Sequence, residues 1–331
     1  MRLRRTAFLV VALLALFPSR GFGQESAFVR LSFSSGWDAL PALVAIERGF
    51  FHAEGLLVSG LAITSAVAVL NSLNAGSTDF AAVPQRVVLL MVAAKVPVKI
   101  IAMAGWGTEM ELVTKPGNGM NSLTDLKGKR IAVLTGSEAF PVLVRLLNQA
   151  RMRPTDVKIT RLAADKLTKA LKDDLADAVF ETRHFTLPMV ESGQARVIMT
   201  AKDVTASIGL IGAMPLIARK AIIEKEPETV QKFVSAWVKG LKYIQQDPDD
   251  AARILRIFFH RQGVKVAAGM AKLWVRMVKY DQYVWSPGAV ADAEYNGWGL
   301  NVGGILKVAP KLEGFVDNRF AEKAAKAIAS P

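Results

Sequence analysis

A strand-turn-helix unit between Phe28 and Leu56, repeated in outline as far as Thr200, limits this chain to an α/β fold. Phe28-Val29-Arg30-Leu31-Ser32-Phe33 reads as a strand with Phe28, Arg30 and Ser32 on one face. Beyond Ser35, Gly36 and Trp37 the spacing turns helical, with Leu40, Leu43, Val44 and Ile46 ahead of a Gly49 stop. Such a corner leaves a helix N-terminus, with free backbone N–H groups, at the carboxyl end of a strand. A ligand can meet those groups there, and an ordinary βα corner without a ligand has the same pattern.

Further strands are expected at residues 56–58 and 61–63 (broken near Ser59-Gly60), 78–83, 96–103, 111–114, 130–134, 157–160, 176–180 and 197–200. Helices are expected from Ala66 to Asn74, from Pro84 onward and from Ser137 to Gln149. Parallel strands need crossovers and helices supply them, so the sheets should be mostly parallel and covered by helices. After Ser207 the texture becomes helical. Glu226-Pro227-Glu228-Thr229 opens a long amphipathic helix through Phe233, Trp237, Leu241 and Ile244, and Asp247 caps the next.

The first 23 residues stand apart. Arg2, Arg4 and Arg5 precede an apolar run from Ala7 to Phe17, and Gly21-Phe22-Gly23 offers small residues for cleavage, which together read as a secretory signal peptide. Sec and twin-arginine export both remain open. Removing Arg2, Arg4, Arg5 and Arg20 with no acid takes the formal charge from +13 to +9. The remaining Lys and Arg are scattered and form no stripe with aromatic residues, which argues against nucleic-acid binding. The absence of any Cys excludes disulfides, thiol nucleophiles, Cys-ligated metals and a lipid anchor on an N-terminal Cys. His52, His184 and His260 show no metal-ligand spacing, and Asp173-Asp174 with Asp177 reads as a solvated turn. No catalytic residue, metal or cofactor is expected.

Four segments carry a family resemblance. They are Pro41 through Gly49-Phe50-Phe51-His52-Ala53-Glu54-Gly55-Leu56, Gly76-Ser77-Thr78-Asp79-Phe80, Leu123-Thr124-Asp125-Leu126-Lys127-Gly128-Lys129-Arg130-Ile131-Ala132-Val133, and Pro227-Glu228-Thr229-Val230-Gln231-Lys232-Phe233. In this order they resemble the periplasmic substrate-binding proteins of ABC importers, in the branch for nitrate, aliphatic sulfonates, taurine and thiamine-precursor pyrimidines. The resemblance implies a two-lobed periplasmic binding protein type II fold with a two-strand hinge. Lobe one would be residues 28–107 plus 207–331, and lobe two residues 108–206. It further implies a monomer in the periplasm that takes a small-molecule solute into the cleft and delivers it to a permease and ATPase. Two alternatives stay open: a ligand-sensing partner of a membrane receptor, and an enzyme like the thiamine-pyrimidine synthases, whose Cys-bearing motif is absent here.

Within that fold, ligands sit outside the carboxyl ends of strands. Three corners should therefore face the cleft: Ser35, Gly36 and Trp37; Thr64, Ser65 and Ala66; and Gly136, Ser137 and Glu138. Pro84 joins them at the next helix start. Each helix N-terminus contributes roughly 0.3–1 kcal/mol toward an anion, whereas a micromolar ligand needs about 8 kcal/mol. Helix ends alone are insufficient, and Trp37 and Trp106 are expected to supply contact area. Glu181 follows a strand where the resemblance implies a ligand contact. With Glu109, Glu111 and Glu138 also near the cleft or hinge, and no Arg or Lys at the three corners, a zwitterionic or heterocyclic solute stays open beside an anion.

Overall fold

Residues 27–33 form β1 (Ala27–Phe33), which buries Val29, Leu31, Ser32 and Phe33. Its alternation fades toward the carboxyl end because helices cover both faces of the sheet there. The computed structural model describes residues 26–33, 39–63, 66–209 and 211–329. The expected signal peptide, residues 34–38 with Ser35, Gly36 and Trp37 of the first corner, and Thr64 and Ser65 of the second lie outside these.

Helices α1 (Leu40–Glu47) and α2 (Phe50–Ala53) are separated by Gly49 and lead to β2 (Leu56–Ala62). The expected break in β2 is absent: Ser59 and Gly60 pair with Arg30 and Leu31 of β1, in parallel. The chain continues through α3 (Ala66–Asn74), β3 (Phe80–Ala82), α4 (Gln85–Ala93) and β4 (Val98–Gly105). It then crosses to a second sheet, built from β5 (Met110–Thr114), β6 (Arg130–Leu134), α5 (Ala139–Gln149), β7 (Lys158–Leu162), α6 (Ala164–Leu167), β8 (Ala178–Thr182), α7 (Arg183–Glu191) and β9 (Arg196–Met199). Helix α8 (Ala201–Ile208) precedes the return to β10 (Met214–Arg219) in the first sheet. Five more helices follow: α9 (Lys220–Lys225), α10 (Pro227–Gln246), α11 (Pro248–Arg261), α12 (Ala268–Met277) and α13 (Pro287–Val302), and then α14 (Arg319–Ala329) ends the described chain.

The two sheets have the same plan. Their orders are β2-β1-β3-β10-β4 and β7-β6-β8-β5-β9. In each, only the fourth strand runs against the rest: β10 is antiparallel to β3 and β4, and β5 to β8 and β9. The reason is geometric. The other strands end at the cleft between the sheets, whereas β5 and β10 receive the crossing chain there and so begin at it. The lobes also share a staple. Asp79, just before β3, accepts from Arg30 N, Nε and Nη2 and from Arg219 Nη2 at 2.6–3.0 Å. Asp177, just before β8, accepts from Arg130 N and Nη2, both at 2.7 Å. Burial alone would raise the Asp79 carboxyl, yet its hydrogen bonds from Arg30 and Arg219 hold it below the usual range.

Over the first sheet, α10 buries Phe233 and Trp237. Phe233 stacks on Phe80 with centroids 3.8 Å apart, and Trp237 Nε1 donates to Met103 O at 3.0 Å. Side chains of this size each stabilise the fold by roughly 1.5–3 kcal/mol through burial. Strand β10 has no counterpart in the sequence reading, because Pro215 argues against a central strand. The sheet accommodates it by a register shift between Met214 and Pro215.

At the crossing, Gly107 N donates to Ile211 O at 2.9 Å, so the two connections lie side by side. Gly212 has φ +63, and a Cβ there would stand 2.2 Å from Gly107 O. We predict that Gly212→Ala lowers the unfolding free energy by at least about 2 kcal/mol. Gly117→Ala, at φ +73 with nothing within 4 Å, should cost only roughly 1 kcal/mol. Urea titrations of the two variants check this, and equal losses would contradict the close crossing.

Candidate functional site

Both crossings, the start of β10 and the first turns of α4, α5 and α7 converge on one cavity of about 390 Å³. That volume is in the range of small-molecule sites. Its apolar walls come from Pro84, Met110, Val142, Ile211, Met214 and Trp274, the last packed on Phe259 with ring centroids 5.7 Å apart. Its polar side chains are Gln85, Thr108, Glu109, Glu138, Thr182 and His184. No Lys or Arg is among the described lining residues.

Three nearby cations stand outside the lining, and Arg183 among them keeps a buried Nε without a hydrogen-bond partner. Arg86, on α4, reaches across the cleft and donates to Gly136 O at 2.8 Å. Arg145, on α5, pairs with Asp292 of α13 at 2.9 Å and donates to Ile208 O at 2.7 Å. Arg183, at the start of α7, stands 3.5 Å from Glu111, which also accepts from Thr186 Oγ1.

The acids divide into held and unheld groups. Asp292 is buried and receives Gln85 Nε2 at 3.1 Å, Gly212 N at 3.1 Å and Arg145. Burial outweighs these bonds and pushes its pKa up. Glu181 is buried and accepts from Leu134 N at 3.1 Å, Ser137 Oγ at 2.8 Å and Thr182 N at 2.9 Å, and burial raises it as well. Glu109 differs: it is 6 % exposed, and its Oε1 is buried with no hydrogen-bond partner. Burial pushes it up to about 7 against the attraction of Arg183. Glu138, half-buried at the N-terminus of α5, is pushed up to about 7, by burial first and then by Asp292. Burial disfavours the charged form of both acids, and for Glu109 an unpartnered oxygen adds to the cost, so both retain their protons to unusually high pH.

The expected site residues are distributed as follows. Pro84 and Glu138 line the cavity. Glu181 lies behind it, occupied by Ser137 and backbone amides. Gly136 and Ser137 border a second, smaller cavity of about 140 Å³ beside α13. Ala66 opens α3. Trp106 does not line the main cavity: its Nε1 donates to Asp281 at 2.7 Å, and Lys279 Nζ sits 4.5 Å from its ring centre. Trp274 provides the aromatic wall instead, and nothing in the local sequence of α12 distinguishes it from a core residue. Gln85 and Thr182 were equally hidden, since each gains its position only when the sheets face each other.

A family model described as NMT1/THI5 like matches residues 37–251. A protein of Brucella abortus (strain 2308), with a provisional name as a binding protein, is 22 % identical over 328 residues, covering 95 % of this chain and 96 % of its own. The 4-amino-5-hydroxymethyl-2-methylpyrimidine phosphate synthase of Legionella pneumophila is 24 % identical over 222 residues, 65 % of this chain and 68 % of its own. Among solved structures, the periplasmic aliphatic sulphonate binding protein SsuA of Escherichia coli superposes with a TM-score of 0.70 at 15 % identity, covering 88 % of this chain and 92 % of that one. The two-lobed fold is therefore shared with periplasmic binding proteins.

Glu109 supplies a stability test. A carboxyl at about 7 in the fold and 4.5 in the free side chain makes the folded state bind protons more tightly. Stability then falls as pH rises from about 4.5 through about 7, by up to roughly 3 kcal/mol. Glu109→Gln is expected to raise the unfolding midpoint at pH 8 and to leave it nearly unchanged at pH 4.5. Thermal melts at the two pH values check this, and a variant destabilised at pH 8 would contradict it.

Proposed function

Because the chain belongs to the NMT1/THI5-like family, we propose that it is a non-enzymatic solute-binding component of an ABC transporter. It acts in the periplasm after cleavage of residues 1–23, as a monomer. It captures a small polar organic solute between residues 28–107 plus 207–331 and residues 108–206, and delivers it to a permease with its ATPase. The cavity at the double crossing carries this reading, because closure of two lobes about such a hinge buries a ligand between them. Hinge closure around ligands is established for periplasmic binding proteins as a class.

The family also holds a synthase. The resemblance associates the synthase branch with a Cys-bearing motif, and this chain has no cysteine. The cavity wall supplies carboxyl, amide, hydroxyl and imidazole groups around an apolar body. That set is suited to orienting a solute by hydrogen bonds while apolar contact supplies area.

The test combines scattering with mass analysis on residues 24–331. A thermal-shift screen over sulfonates, nitrate, pyrimidines, amines and aromatic acids identifies a stabilising solute. That solute is expected to reduce the radius of gyration and to be recovered chemically unchanged. Product formation without compaction would overturn the proposal.

A further inference from the structure

The main cavity has an unusual charge balance. Glu109 and Glu138 line it with no Lys or Arg among the described lining residues, and Glu109 Oε1 is buried with no partner; Arg86 and Arg145 are hydrogen-bonded outside the cavity, while Arg183 contacts Glu111 and also attracts Glu109. A sulfonate or nitrate entering this space meets carboxyl groups and no cationic side chain among the described lining residues. A buried carboxylate without a partner is satisfied by an N–H donor, and most strongly by a charged one.

The geometry points to an organic cation with an apolar body, such as an amidinium or a protonated amine, as the solute whose N–H groups Glu109 and Glu138 receive. This rests on the solute-binding reading above and names the ligand class for that site. Met110, Val142, Ile211, Met214 and Trp274 would enclose the body, and the Trp274 ring offers a face to a cation or an aromatic group. Thr108 and Thr182 hydroxyls stand on the same wall as further acceptors.

The charged groups around the two acids set the pH dependence. Arg183 faces Glu109, while Asp292, Arg86 and Glu181 act on Glu138, and His184 lies on the cavity wall. Both acids lose their protons near pH 7. A cation is therefore held more tightly as pH rises from 6 to 8. An anion held by the protonated acids would show the opposite slope.

Calorimetric titration of the full mature chain tests this, with benzamidine, benzylamine and 4-aminomethylpyridine as cationic probes and benzenesulfonate as their anionic counterpart. At least one cation is expected to bind, more tightly at pH 8 than at pH 6, with benzenesulfonate not binding. Glu109→Gln and Glu138→Gln should each weaken that cation by about tenfold or more, and the double variant should lose the pH slope. Glu322→Gln, at an exposed position of α14, controls for charge alone. Binding of benzenesulfonate, failure of all three cations, or unchanged affinity in the double variant overturns the assignment. Compaction on a sulfonate would discard the cation and keep solute binding, whereas a probe recovered as a chemical product would discard the binding reading itself.

Discussion

The carboxylate of Asp292 holds the two halves of the molecule in register. It is buried on α13 and joined at once to Gln85 of α4, to the backbone of Gly212 in the return crossing, and to Arg145 of α5 in the other lobe. Asn296, one turn further along α13, donates to Gln85 Oε1 at 2.6 Å and completes the set. Removing one partner of such a buried pair leaves the other charge uncompensated, at a cost of about 3–5 kcal/mol. The same helix reaches lobe two at Gly299, where a Cβ would come within 2.3 Å of Pro141 Cβ. Helix α13 thus supplies one polar hub and one backbone-close contact across the cleft, beside the Arg86 bond to Gly136 O.

The hub also decides the chemistry of the cavity. Asp292 orients the Gln85 amide at the cavity wall and engages the Arg145 guanidinium, which does not line the cavity. Glu111 engages Arg183, and the Gly136 carbonyl engages Arg86. The cavity is lined by two acids, neutral polar groups, His184 and apolar side chains, with Glu109 lacking a partner for Oε1. The fold is shared with a sulphonate binding protein.

Much of the architecture was legible in the sequence because it is locally encoded. The strand at 130–134, the helix at 66–74 and the long helix after Pro227 appear where period and capping residues put them. The motif aspartate at 79 proves to be a structural staple for Arg30 and Arg219. Central strand β10 was not legible, since Pro215 obscures it and only the paired neighbours β3 and β4 justify it. The site was legible in part: Pro84, Glu109 and Glu138 were within reach because each lies beside a strand end. Gln85 and Asp292 are 207 residues apart, and no local pattern announces their contact. Trp106 shows the reverse failure. A Trp between glycines at a strand end suggests a ligand face, but the bridge to Lys279 turns this one toward Asp281.

Two acids on the cavity wall hold their protons to unusually high pH because burial outweighs the attraction of Arg183 for Glu109 and of Arg86 for Glu138. Carbon-detected NMR of the mature chain, with carboxyl-labelled glutamate, reads this directly as a function of pH. Two glutamate carboxyls are expected to titrate near about 7 in the ligand-free protein, one vanishing in Glu109→Gln and the other in Glu138→Gln. If both titrate near the ordinary glutamate value of about 4.3, the acids are compensated and the account of the site is wrong.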